Sequence, residues 1–411
     1  MKRILIVTAT TGYQTRAFAE AAAALGMTAV LATDRCHVLD DPWGDGAIAV
    51  RFDEPAAASG AIAAGGPFEG IIALGDRPAL VASLAAAALG IPYNDPPAVE
   101  AAGNKFLSRR RLAAAGLPVP EFFRVPIDSD PAAAAARASY PCVLKPLGLS
   151  ASRGVIRAGS PDAFVTAFRR IEALLIRPEI RALREEQTRY LQVESFIEGK
   201  EYALEGVLTE GRLQTLALFE KPDPLDGPFF EETIYIAPAR VEPGPLIEAA
   251  GRAVGALGLT HGPVHAEMRF DGRRAVVLEA AARPIGGLCA KALRFDGGMA
   301  LEELLLRHAA GEDVSGIRRE SSASGVMMIP IDRGGIYEGV EGVDGALRTA
   351  GVEEIEITAK IGQKLEPLPE GASYLGFIFA RGETPADVER SLREGHRGLK
   401  FQIAAALPVM R

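Results

Sequence analysis

Over its first hundred residues the chain alternates short apolar runs with alanine-rich stretches. Residues 4–7, 29–32, 47–51 and 70–74 read as strands, and 16–25 and 79–89 carry apolar positions at helical spacing. Strand–helix alternation of this length predicts a parallel sheet covered on both faces. The turn after the first strand, Thr8-Ala9-Thr10-Thr11-Gly12, holds a single glycine. A dinucleotide fingerprint needs several, because the backbone must approach a pyrophosphate closely. The first domain is therefore expected to be doubly wound, without a dinucleotide site.

Pro92, Pro96 and Pro97 punctuate the end of that unit, and the pattern predicts one helix from about 98 to 115. Gly116, Pro118 and Pro120 stop it. From there to about residue 320 the pattern changes to paired strands with separate helices, which indicates α+β layers. Two hairpins stand out, 202–219 around Glu210-Gly211 and 264–280 around Asp271-Gly272. After Ser321 come strand-like runs at 326–331, 355–361 and 374–380, then a helix over 385–397 with Thr384 as its N-cap. No internal repeat or low-complexity linker interrupts this order.

Composition narrows the function classes. The 411 residues predict two to four domains, and 48% hydrophobic with 24% charged residues is globular rather than disordered. A net charge of -8 argues against nucleic acid as a partner. The three cysteines, Cys36, Cys142 and Cys289, form no CxxC pair, so neither a zinc ribbon nor a disulfide framework is indicated. The first apolar run is too short for a signal peptide, and no run of eighteen apolar residues predicts a membrane span. The expectation is a soluble protein of a reducing cytoplasm, with no membrane partner.

Four features carry candidate chemistry. Lys145 ends an apolar strand ahead of a small-residue loop, Gly148-Leu149-Ser150-Ala151-Ser152-Arg153-Gly154. Free backbone N–H groups there suit phosphate oxygens, with Ser150, Ser152 and Arg153 as further donors; an ordinary hairpin turn beside an exposed lysine is the equal alternative. In Glu194-Ser195-Phe196-Ile197-Glu198-Gly199-Lys200-Glu201 a strand leads into crowded acids, either solubilising charges or a hinge that reads a purine edge and a ribose. Glu267 and Glu279 lie on the two arms of the second hairpin. They face each other if the loop is odd and centred on Arg273, and fall on opposite faces if it is even. Directly opposed like charges are destabilising, so a cation between them is the sensible reason for such a pair, and magnesium is the usual one. Arg283, flanked by alanines and followed by Pro284 and two glycines, is placed to grip a carboxylate or phosphoryl group.

In order and spacing, Asn104-Lys105, Val143-Leu144-Lys145-Pro146 with its loop, Glu194 to Glu201, Glu267, and Leu278-Glu279 through Arg283-Pro284 resemble the ATP-grasp superfamily. Within it the chain most resembles the L-amino-acid ligases and related carboxylate–amine ligases, over essentially its whole length. The resemblance implies an α/β domain over 1–100, two ATP-grasp subdomains over 101–190 and 191–320 that clamp ATP between their sheets, and a C-terminal α+β subdomain over 321–411. It implies phosphate binding by Lys105 and Lys145, and a phosphate lid over Gly148 to Gly154. Glu194, Ser195, Phe196 and Ile197 become the adenine hinge, and Glu201 the ribose acid. Glu267 and Glu279 become ligands of Mg²⁺, with Mn²⁺ as a substitute. Arg283, with Lys145, serves the acyl phosphate. Gly286 and Gly287 lie against the substrate, with His265 and Glu232 among its other contacts. Glu232 stands in Gly227-Pro228-Phe229-Phe230-Glu231-Glu232-Thr233, whose phenylalanines either line a pocket or join the core.

One position departs from the pattern: Ala281 stands where the family places a metal-binding asparagine. The expected activity is ADP-forming ligation of a small carboxylate to a small amine through an acyl phosphate, in a homodimer by analogy with relatives. A biotin-carboxylase or purine-type carboxylase, and a regulatory ATP binder without turnover, are the alternatives.

Overall fold

A computed structural model describes residues 2–9, 14–34 and 46–405; Cys36 and most of the Thr8–Gly12 turn lie outside the described residues. The chain divides into two compact units. The first comprises residues 1–119, 203–218 and 242–320, and the second 120–202, 219–241 and 321–411.

The first unit holds the expected parallel sheet. The Arg3–Thr8 strand lies between Thr28–Thr33 and Gly70–Leu74, with Ile48–Ala49 beyond Thr28–Thr33. Ile4, Leu5, Ile6 and Val7 are fully buried, which is why that strand reads as an unbroken apolar run. Helices Thr15–Ala24, Pro55–Ala64 and Asp76–Leu89 follow its strands; the second escaped the sequence reading, and the run at 47–51 shrinks to two strand residues. Gly75, at φ 117°, turns the chain from the Gly70–Leu74 strand into the third helix and leaves Asp76 in its first turn. That is the carboxyl end of a parallel strand, where sheets of this kind bind ligands.

The single helix expected over 98–115 is two helices, Pro96–Ala102 and Lys105–Ala114. Gly103 ends the first, and the Asn104 side chain caps the second by accepting from Phe106 N and Leu107 N, both at 3.1 Å. An Asn side chain that satisfies two free amides favours a new start over continuation. Lys105 thereby opens a helix instead of sitting inside one.

The second hairpin pairs Gly262–Phe270 with Ala275–Ala281. Its loop is even: Phe270 faces Ala275 across four residues, with Asp271 Oδ1 accepting from the amides of Arg273 and Arg274 at 2.8 and 2.7 Å. An even loop alone would separate the two acids. A bulge between Met268 and Glu267 leaves Leu278 without a counterpart, shifts the register by one residue, and brings Glu267 opposite Glu279.

The second unit contains an antiparallel sheet in the order Phe122–Pro126, Tyr190–Ser195, Cys142–Pro146, Ile156–Ala158. The amphipathic helix Pro161–Leu175, capped by Ser160, buries Phe164, Phe168 and Ile171 against Cys142 and Leu144. Burial pushes the Cys142 thiol up to about 11, so it packs as an inert apolar residue. Towards the C-terminus, Ile234–Ala237, Ala323–Ile329, Gly376–Gly382 and Val352–Ile357 run antiparallel in that order. Helix Pro385–Arg397 packs on them, and its Thr384–Asp387 capping box matches the expected start. The strand expected to reach residue 361 stops at Ile357, and Ile361 is 81% exposed. A further sheet of Lys364–Leu365, Gly335–Glu341 and Lys400–Ala404 had no clear period in the sequence. Among the described residues, no helix is long and apolar enough to cross a membrane.

Candidate active site

In the first unit, six elements deliver ionisable groups to one cluster. Glu267 and Glu279 face each other across the hairpin, and Lys105 reaches Glu279 Oε2 at 3.2 Å from its helix start. His265, two residues before Glu267 and on the same strand face, has Nδ1 3.0 Å from Glu205 Oε2 and Nε2 3.4 Å from Glu267 Oε1. Arg283 Nε donates to Asp76 Oδ1 at 2.9 Å.

The ionisation of this cluster follows from its contacts. Burial disfavours a charged His265 ring, but hydrogen bonds to Glu205 and Glu267 outweigh it and push the imidazole up to about 9. Burial likewise raises the Glu205 carboxyl, so the two groups compete for one proton. The proton belongs on the imidazole, because Glu205 also accepts the Ile285 N–H at 3.1 and 3.2 Å, as a carboxylate does. Burial raises the Asp76 carboxyl too, yet Arg283, and then Lys105 and His265, hold it below the usual range. For Arg283 the desolvation is overcome by Asp76, Glu279 and Glu267, so its guanidinium stays charged. Four carboxylates thus meet three cations.

That excess of negative charge suits one more cation. Two hard carboxylates on one face of the hairpin fit Mg²⁺, and Ala281, on the same face and opposite His265, adds no ligand. Gly286 and Gly287 follow Ile285, whose carbonyl accepts from Gln14 Nε2 and whose amide is held by Glu205.

In the second unit the lysines are already matched. Lys145 pairs with Glu194 at 2.5 Å, both buried, and Gln192 donates to the other Glu194 oxygen at 2.5 Å. Lys221, which the sequence reading overlooked, is 2% exposed in its side chain and lies between Glu201 at 2.7 Å and Glu232 at 2.5 Å. Tyr235 Oη donates to the second Glu232 oxygen at 2.8 Å, so an incoming ammonium would have to displace Lys221. Phe229 packs against the core cluster, whereas Phe230 stacks on Phe196 with ring centres 6.5 Å apart. The amides of Ser195 and Phe196 donate to Glu121 O and Pro141 O, both at 2.9 Å, so the Ser195 N–H is taken by the sheet. In the loop, Ala151, Ser152 and Gly154 have φ of 56°, 54° and 74°, while Arg153 donates to Glu370 O at 2.7 Å.

Residues 138–292 match the ATP-grasp domain, and residues 327–404 match the L-amino acid ligase C-terminal domain 2. The chain contains an ATP-grasp domain. Among solved structures, an L-amino acid ligase from Bacillus licheniformis is similar to it with TM-score 0.80 and 26% identity, over 98% of this chain and 99% of that one. N5-carboxyaminoimidazole ribonucleotide synthetase from Thermotoga maritima shares the fold, with TM-score 0.70 and 17% identity over 99% of this chain and 100% of that one. An uncharacterized protein of Sinorhizobium fredii is 26% identical over 76% of this chain; the match spans 64% of that relative's length.

Asp76, Glu205, Lys221 and Gln14 escaped the sequence reading. Two left a signal. Glu205 is a lone charge within the apolar run Tyr202 to Val207, and Asp76 follows a glycine at the end of an apolar strand.

Proposed function

We propose that the protein is an ATP-dependent, ADP-forming carboxylate–amine ligase that joins amino acids or similar small molecules. The observation that carries this reading is the bulged register that opposes Glu267 and Glu279 beside Lys105, His265 and Arg283. The match of the C-terminal region to an L-amino acid ligase domain supports the substrate class.

In this reading the substrate carboxylate attacks the γ-phosphate of ATP, and the amine then displaces phosphate from the acyl phosphate. Glu267 and Glu279 hold Mg²⁺, which neutralises charge on the phosphoryl oxygens when bound. Lys105 and Arg283 add fixed positive charge to those oxygens, and Asp76 orients the Arg283 fork. His265, charged and anchored by Glu205, orients Glu267 and takes that role in place of direct substrate contact. Lys145 and Lys221 serve the nucleotide phosphates by exchanging a carboxylate partner for a phosphate oxygen, while Glu201 and the segment Glu194 to Ile197 serve ribose and base. Ser150 and Ser152 supply lid donors, and Gly286 and Gly287 leave room for substrate. The assembly proposed by analogy is a homodimer, and the compartment the cytoplasm.

Purified protein screened with MgATP and paired amino acids is expected to release phosphate only when both partners are present. Phosphate release that needs bicarbonate and no amine would instead indicate a carboxylase. Nucleotide binding with no release for any pair would indicate a non-catalytic binder.

A further inference from the structure

The loop from Gly148 to Gly154 is held at its far end by a segment of the C-terminal region. Gly154 N donates to Pro369 O at 2.8 Å, and Arg153 Nε donates to Glu370 O at 2.7 Å. The Glu370 side chain is gripped at both oxygens by Arg170, through Nε and through Nη2 at 2.8 Å. Arg177 Nη1 pairs with Glu366 Oε2 at 2.8 Å, and Arg153 Nη2 lies 3.6 Å from Glu179. The holding segment is itself a tight turn. Gly371 N donates to Pro367 O at 2.9 Å, and a Cβ on Gly371 would fall 1.8 Å from Glu366 O.

We infer that residues 366–371 form a strap that fixes the phosphate lid, and that Arg153 is a strap anchor and not a phosphate ligand. Two backbone carbonyls, of Pro369 and Glu370, take the lid's last amide and its guanidinium. The bidentate Arg170–Glu370 pair fixes the direction of the second carbonyl from a rigid helix. Backbone acceptors presented in this way set geometry without adding charge beside the phosphates. The strap thus gives the C-terminal ligase-type domain a task in the ATP half-reaction: it keeps the lid seated, so that water does not reach the acyl phosphate before the amine. Arg170 and Glu370 act as positioning residues, through Arg153 and Gly154. The lid's chemical role rests on the ligase reading above; the strap itself does not.

Hydrogen exchange on the full chain without nucleotide separates the two. Glu370→Ala and Arg170→Ala should each speed exchange of peptide 148–155 by about tenfold or more, while the Pro161–Leu175 helix is unchanged. The charge-exchanged double variant Arg170→Glu/Glu370→Arg should restore protection. If a single variant also loosens the helix, Gly371→Ala, which alters only the strap, decides. Unchanged exchange of 148–155 in all of them overturns the strap. In turnover, strap variants should release phosphate without matching amide formation, with a raised KM for ATP. A loosened loop in a protein that turns over no carboxylate–amine pair leaves the strap standing and removes the ligase.

Discussion

The two units handle charge in opposite ways. In the first, Asp76, Glu205, Glu267 and Glu279 outnumber Lys105, His265 and Arg283, and Glu279 and Lys105 keep 25% and 16% of their side chains exposed. In the second, Lys145 and Lys221 are enclosed by Glu194, Glu201 and Glu232, and the Lys145–Glu194 pair is no more than 8% exposed. A partly open, acid-rich cluster is ready for a cation and changes little without one. A buried, self-neutralised pair contributes to folding and must exchange partners to bind a ligand. Substitutions at Glu267 or Glu279 should therefore act mainly on turnover, whereas those at Lys145 should also cost stability.

The largest effect is expected at Glu267 or Glu279. Replacing either by Gln removes charge at the metal site and should lower kcat about a hundredfold or more, roughly 3 kcal/mol, with unfolding nearly unchanged. Steady-state kinetics beside a urea melt reads both numbers. If stability falls as far as activity, the two units do not differ in the way described.

Lys145→Met should do the reverse to the fold. It leaves Glu194 buried without its cation, at a cost of about 3 kcal/mol by urea unfolding, and Lys145→Met/Glu194→Gln should recover most of it. Lys105→Met, at the more open pair, should cost under about 1 kcal/mol. Equal losses at the two lysines would erase the contrast.

His265 gives the comparison a pH signature. Its folded value, near 9, lies above the ordinary 6.5, so its stabilisation is complete below pH 6.5 and is lost as pH rises through 9. The melting temperature should fall between pH 7 and 10, and fall less in His265→Asn. Parallel pH curves for the two proteins would place the proton elsewhere.

Ala281→Asn is the mildest change. It restores an oxygen on the Glu279 face, and should lower the free Mg²⁺ needed for half-maximal activity by a few-fold, despite some crowding at a buried site. Titration of activity against free Mg²⁺ at saturating ATP checks it; an unchanged midpoint means that Ala281 is no missing ligand.

How much of this was legible in the sequence depends on how far apart the cause and its effect lie. Helix Pro385–Arg397 was readable to the residue, because its cap, its proline and its apolar stripe are adjacent. The Glu267–Glu279 pairing was readable only as a condition on loop parity. The loop is even, and the deciding bulge at Leu278 has no local signature. The Gly103-Asn104 break was signalled by residue type, yet the surrounding helical pattern masked it. Partners such as Glu194 for Lys145, or Asp76 for Arg283, are 49 and 207 residues apart and follow from sheet register and packing alone.

The ligase itself is tested most directly by following oxygen. For a carboxylate–amine pair that supports turnover, the carboxylate labelled with ¹⁸O should pass one labelled oxygen to the released phosphate for each amide formed, read by the isotope shift in ³¹P NMR. That transfer requires the carboxylate to have attacked phosphorus. Amide formation with unlabelled phosphate, or phosphate released at the same rate without the carboxylate, would contradict the acyl-phosphate route.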